Sequence, residues 1–171
     1  KGGKAYGKRG LQFKQGASWF ISTFDVALLK QLVNGIQADP EIAFGMVVKE
    51  VIIQEVPDFS QGKHTFRVGS PVLIKRARKE PNQKHEQFYY YHDSQASDLL
   101  TESLKYKLNK AGIHDDTLRV EFDQSYALPR IKKTSYKGTQ IKASFCPVTI
   151  TGKPESLAFA WQVGVGNSTG I

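Results

Sequence analysis

The stretch "KPESLAFAWQVGVGNSTGI", Lys153 to Ile171, puts proline at Pro154, a favoured first helical position, and reads as helical to Val163. Glycines then follow at Gly164, Gly166 and Gly170, with Asn167 and Ser168 between them. Glycines let the backbone come close to a phosphate and turn its N–H groups outward. A dinucleotide loop follows a strand and opens a helix, whereas this one follows a helix, and its third glycine comes one residue late. No Gly-Lys-Ser/Thr follows, so a Walker loop is excluded as well. Two readings stay open: a turn between the helix and a further strand, or a loop that meets a phosphate backbone.

The residues before this stretch repeat a simple order. "HTFRVGSPVLIKRA" reads as a strand with Pro71 at an edge or bulge, since proline cannot donate to a ladder. "FYYYHD" resumes strand composition, and "SQASDLLTESLKYKLNKAG" sets Leu100, Leu104 and Leu108 on one helical face, with Gly112 as the stop. "TLRVEFD" is a short strand, and "LPRIKKTSYKGTQIKASFCPVTITG" reads as the two arms of a hairpin. With the closing helix this gives β-α-β-β-α, a ferredoxin-like unit short of its last strand.

The front of the chain reads as the back half of the same unit. "GLQFK" and "SWFIST" form a predicted hairpin, and Leu29, Leu32, Val33 and Ile36 share a helical face that stops at Asn34-Gly35. The segment 44–56 is a predicted strand. The expected class is therefore α+β, two tandem ferredoxin-like (RRM-like) domains over 1–62 and 63–171. The first would lack its opening strand and helix and the second its last strand. Trp19, Phe20, Phe24, Phe159 and Trp161 are expected in the core.

Composition narrows the function classes. With 171 residues and 40% apolar residues, the chain can bury a core without staples. One cysteine, Cys146, rules out an intramolecular disulfide framework or a cysteine-based zinc ribbon and suits a reducing, cytoplasmic setting. The apolar runs are too short to span a bilayer, so no membrane partner is expected. The net charge of +8 points to a polyanionic partner if the charges cluster.

They do cluster. Residues 1–14 carry five basic groups and no acid, and 75–92 hold Lys75, Arg76, Arg78, Lys79 and Lys84 against Glu80 and Glu86. From Leu128 to Ser144, Arg130, Lys132, Lys133, Lys137 and Lys142 stand with no acid at all. An edge strand kept lysine-rich to prevent edge pairing would look similar. A surface built only for solubility mixes signs, however, so an acid-free strip favours phosphate contact.

The two tandem units, "SPVLIKRA" opening the second, the basic hairpin "KKTSYKGTQIKASFCPVTITG" and the helix from Glu155-Ser156 into "GVGNSTGI" together resemble the CRISPR-associated endoribonucleases that cut precursor CRISPR RNA within its repeats. The resemblance implies binding of repeat RNA, metal-independent cleavage by the ribose 2′-OH, no cofactor, and other CRISPR-associated proteins as further partners. Arg76, Arg78, Arg130, Lys132, Lys133, Lys137 and Lys142 become RNA-binding candidates, together with Gly164, Gly166, Asn167, Ser168 and Gly170. In related enzymes the general acid/base histidine sits near the first helix of the first unit, which is expected ahead of Lys1, so no histidine is carried over. Some members use a lysine shortly after it, which makes Lys8 and Lys14 catalytic candidates. Other members bind the repeat with little or no cleavage, and a non-cleaving RNA-binding module is the alternative function.

His64, His85, His92 and His114 are scattered and read as surface or capping groups rather than a metal site. "HDD", His114 to Asp116, lies in a helix-to-strand loop without further ligands. Tyr89, Tyr90 and Tyr91 must alternate between faces, so core packing is expected for part of the set.

Overall fold

The computed structural model describes residues 4–5, 11–12, 16–42, 45–77, 86–136 and 139–166. Lys8, Lys14, Arg78, Lys137, Asn167, Ser168 and Gly170 lie outside the described residues.

The sheet at the centre of the second part has three strands: β3 (Lys63–Phe66), β6 (Arg119–Phe122) and β9 (Val148–Thr151). Their order is β3-β9-β6, and β9 is antiparallel to both neighbours. Strands β3 and β6 are thus parallel to each other and need a crossover, which the helix α2 (Ala96–Lys110) supplies. The helix α3 (Pro154–Val163) follows β9. Strand 1-3-2 order with a crossover helix and a second helix after the third strand is the ferredoxin-like arrangement.

Leu100, Leu104 and Leu108 recur every four residues and are completely buried on α2. They meet the alternate residues Val120 and Phe122 of β6 and Val148 and Ile150 of β9, which stand opposite each other in register, and Leu157, Phe159 and Ala160 of α3. Gly112 ends α2 with φ +77°, the left-handed backbone that favours glycine. Pro154 opens α3, which runs to Val163 as expected.

Two hairpins are inserted around this sheet. One joins β4 (Ile74–Ala77) to β5 (Glu86–Tyr89), and the other joins β7 (Arg130–Tyr136) to β8 (Thr139–Phe145). The run "HTFRVGSPVLIKRA" is accordingly two strands in two sheets, broken at Gly69-Ser70-Pro71. The expected second hairpin arm divides likewise, because Cys146-Pro147 separates β8 from β9 and proline cannot continue a ladder. Val72 and Ser144 exchange backbone hydrogen bonds of 2.7 and 3.0 Å, and the Tyr91 amide donates to Ser144 Oγ at 2.9 Å. The two insertions are thereby sewn together at a serine with no exposed surface.

In the first part β1 (Lys4–Ala5) pairs with β2 (Leu11–Gln12), and α1 covers Val26–Ala38. Asp25 caps α1, its carboxylate accepting from the amides of Ala27 and Leu28 at 2.9 and 3.0 Å. Gly35 does not stop the helix as expected. A single glycine costs about 1 kcal/mol inside a helix, and termination falls instead on Asp39, made extended by Pro40. Leu29, Leu32, Val33 and Ile36 form the expected face but are only half-buried, and α1 has no fully buried residue.

Among the described residues, the strands expected at 18–23 and within 44–56 are not formed. The described residues there make a single bridge, Glu41 to Val47, because β composition alone yields no strand without a neighbour to complete the ladder. Trp19, Phe20 and Phe24 are exposed, Phe20 by 86%, contrary to the core role expected of them. Phe159 is buried as expected, and Trp161 packs on the core. No helix among the described residues is long and apolar enough to cross a membrane.

Candidate nucleic-acid interface

Antiparallel register sorts the basic residues of the β7–β8 hairpin by face, because residues opposite each other share a side. Arg130 pairs with Phe145 and Lys132 with Ala143, so both cations stand on the Phe145 face. The Lys132 ammonium lies 4.0 Å from the Phe145 ring centroid, and the Arg130 guanidinium 5.1 Å. Lys133 stands opposite Lys142 on the other face, and both are exposed. Neither makes an ion pair among the described residues. Like charges directly across a ladder oppose folding, so this pair is suited to an external anion rather than to an internal partner.

Arg76 is placed differently. Its guanidinium holds Glu102 of α2 at 2.9 Å and reaches the Leu99 carbonyl at 3.4 Å, which ties β4 to the helix. Lys75, beside it, pairs with Glu86 across the β4–β5 ladder at 2.7 Å. The structure therefore gathers Arg130, Lys132, Lys133 and Lys142 on one hairpin, while Arg76 is engaged with a carboxylate.

The glycine loop begins with Gly164 at φ +72°, and the Gly164 amide donates to the Ala160 carbonyl at 2.8 Å. That N–H is spent on closing α3 and is not turned toward a ligand, contrary to the cradle expected at this residue. Its carbonyl and that of Gly166 accept from Lys107 Nζ at 2.9 and 2.8 Å. Burial without a carboxylate pushes the Lys107 ammonium below its ordinary pKa. Lys107 was not among the sequence candidates, yet a signal exists: it lies three residues after Leu104 and seven after Leu100, on the apolar face of its helix.

The remaining singled-out groups pack or cap. The His64 ring stands edge-on to Phe59 and Phe66, His92 stacks on Tyr90, and His114 Nδ1 shares a hydrogen bond with Asn109 Oδ1 at 2.9 Å. Tyr89 and Tyr91 pack against the core. Asp115 of the "HDD" run is buried and joins two loops. Its carboxylate accepts from the Thr117 amide and hydroxyl at 3.0 and 2.6 Å, and from the Lys153 amide at 2.7 Å. Burial alone would raise this carboxyl, but these hydrogen bonds outweigh it and hold the pKa below the ordinary value. No group of three metal-ligating side chains is present among the described residues. Cys146 is free and buried, and burial with the nearby Asp123 charge raises its thiol, which makes it unreactive.

Solved structures share this fold. One, described as a Cas6-related gene of Pyrococcus furiosus, superposes with a TM-score of 0.67 at 20% identity over 86% of this chain and 61% of that one. A second, described as an RAMP protein binding different RNA substrates, gives 0.66 at 17% identity over 86% and 62%. A third, a CRISPR associated protein Cas6, gives 0.67 at 18% identity over 85% and 60%. The two Cas6 structures have tandem ferredoxin-like folds, and the chain spans about three fifths of the length of each of the three. No curated protein sequence matches it. The family model for CRISPR associated protein Cas6, C-terminal, matches residues 54–171, and the chain belongs to that family.

Proposed function

We propose that the chain binds CRISPR repeat RNA through the β7–β8 hairpin and the glycine loop, within a protein that cleaves precursor CRISPR RNA. The observation that carries this reading is the exposed Lys133–Lys142 pair in a hairpin segment with no acid from Leu128 to Ser144. Such a strip tracks a phosphate backbone, and hairpin RNA is recognised largely through shape and backbone. The second unit, 63–171, supplies this surface. Support also comes from the family and from the neighbour described as binding different RNA substrates.

Cleavage on this reading is attack of a ribose 2′-OH on the adjacent phosphate, with the leaving 5′-oxygen taking up a proton. It requires alignment, proton transfer and stabilised phosphoryl charge, all within reach of side chains alone, without a metal or cofactor. Lys8 and Lys14 remain the catalytic candidates, while Arg76, Arg78 and Lys137 join the hairpin, and Asn167, Ser168 and Gly170 the loop, as RNA-binding candidates. Assembly with other CRISPR-associated proteins, in the cytoplasm, belongs to the same reading.

A second reading, a non-cleaving RNA-binding module, is favoured by the histidines. The three described ones are engaged in ring contacts or a hydrogen bond with neighbours.

Incubation of repeat RNA with stoichiometric protein in chelator separates the two. Cleavage that a single 2′-deoxy substitution at the cut site abolishes supports the nuclease. Retained binding without cleavage supports the module. No preference for hairpin RNA over a non-nucleic polyanion overturns both.

A further inference from the structure

We propose that Lys107 is a positioning residue that fixes the glycine loop against the basic hairpin; its consequence for RNA rests on the function proposed above. The Lys107 ammonium rises from α2 and donates to two carbonyls, Gly164 at 2.9 Å and Gly166 at 2.8 Å. One of these carbonyls terminates α3, where the helix dipole favours a cation. The other belongs to a residue lying against the backbone of Leu73. A Cβ at Gly166 would stand 3.5 Å from the Leu73 carbonyl oxygen and 3.6 Å from its nitrogen.

Leu73 follows Val72, which is bonded both ways to Ser144 of β8. Ser144 is two residues from Lys142, on the same face of the strand. A continuous path of contacts thus runs from Lys107 through the loop and Val72–Leu73 to the phosphate-facing lysines. The ammonium is half-buried, and its carbonyl bonds are charge-assisted, so they are strong and directional. Lys107 therefore acts on RNA through the loop, as an anchor that sets where the glycines begin.

The test uses Lys107→Met and Lys107→Gln in the full chain, the second keeping a donor too short to hold both carbonyls. Hydrogen exchange of the amides at 161–166 is expected to speed about tenfold in Lys107→Met and less in Lys107→Gln, with the Leu100–Leu104 peptide unchanged. Affinity for an RNA hairpin is expected to fall about fivefold while the slope of log K against log salt stays the same, since no phosphate contact is lost. Unaltered exchange at 161–166 overturns the anchor, whatever RNA does. A slope reduced by about 0.7–0.9 overturns it too, because Lys107 is then a direct phosphate contact. If the wild-type chain ignores hairpin RNA, the RNA reading fails and the exchange measurement still decides the anchor.

Discussion

Lys133 and Lys142 face each other across the β7–β8 ladder, both exposed and neither ion-paired among the described residues. Folding and ligand binding pull this pair in opposite directions. Replacing both by alanine is expected to leave stability unchanged or raise it by about 0.2–1 kcal/mol, as the like-charge opposition is relieved. The same variant is expected to bind RNA more weakly, with a salt slope reduced by about 1.4–1.8. Thermal melts and a salt titration of RNA binding check the two arms, and an unchanged salt slope removes the pair from the interface.

Lys132 makes the shorter of the two described cation contacts on the Phe145 ring, at 4.0 Å. A double-mutant cycle with Lys132→Ala and Phe145→Leu is expected to return a coupling of about 0.5–1 kcal/mol in urea unfolding. Coupling near zero means that the ammonium is held by nothing but the strand.

Asp115 carries a pH dependence whose sign follows from its lowered pKa. Its contribution is fully present above the ordinary carboxylate range and is lost as pH falls below that range through the folded value. Asp115→Asn is expected to cost roughly 1–3 kcal/mol at pH 7, and its deficit against the wild type should shrink in acid. Gly152→Ala strikes the same joint, since its Cβ would lie 2.6 Å from Asp115 Oδ2. Urea titrations across the acid range check both, and a deficit that is constant with pH contradicts the assignment.

Leu104 and Leu32 test how unevenly the chain is packed. Leu104 is completely buried, so Leu104→Ala is expected to cost about 2–5 kcal/mol. Leu32 sits on the half-buried face of α1, and Leu32→Ala should cost under about 1 kcal/mol. Equal losses in denaturant melts mean that α1 is as firmly packed as α2.

These contrasts show which features are local. The face of Leu100, Leu104 and Leu108 is legible because a helix closes its hydrogen bonds within its own segment, and Pro154 and Gly112 mark helix ends by backbone chemistry alone. A ladder needs a distant partner, which composition at 18–23 or within 44–56 does not supply, and so those segments read as strands while their described residues form none. The break at Gly69 to Pro71 has the same origin, because only the pairing shows that β3 and β4 belong to different sheets. Among the candidate residues, the acid-free hairpin was legible as charge. Its sorting into a Phe145 face and a Lys133–Lys142 face required the register. The Arg76 ion pair and the Lys107 bonds span 26 and up to 59 residues, so neither is written in a local pattern, although a lysine on an apolar face is a trace of the second.

Ser144 joins the two inserted hairpins through both of its backbone groups and its hydroxyl. Mechanically this makes it a clamp: a push on the lysines of β8 travels into the segment at Val72 and Leu73 instead of being absorbed as independent swinging of two ribbons. What Ser144 provides is stiffness, and a surface stiff before its ligand arrives gives up less freedom in binding it.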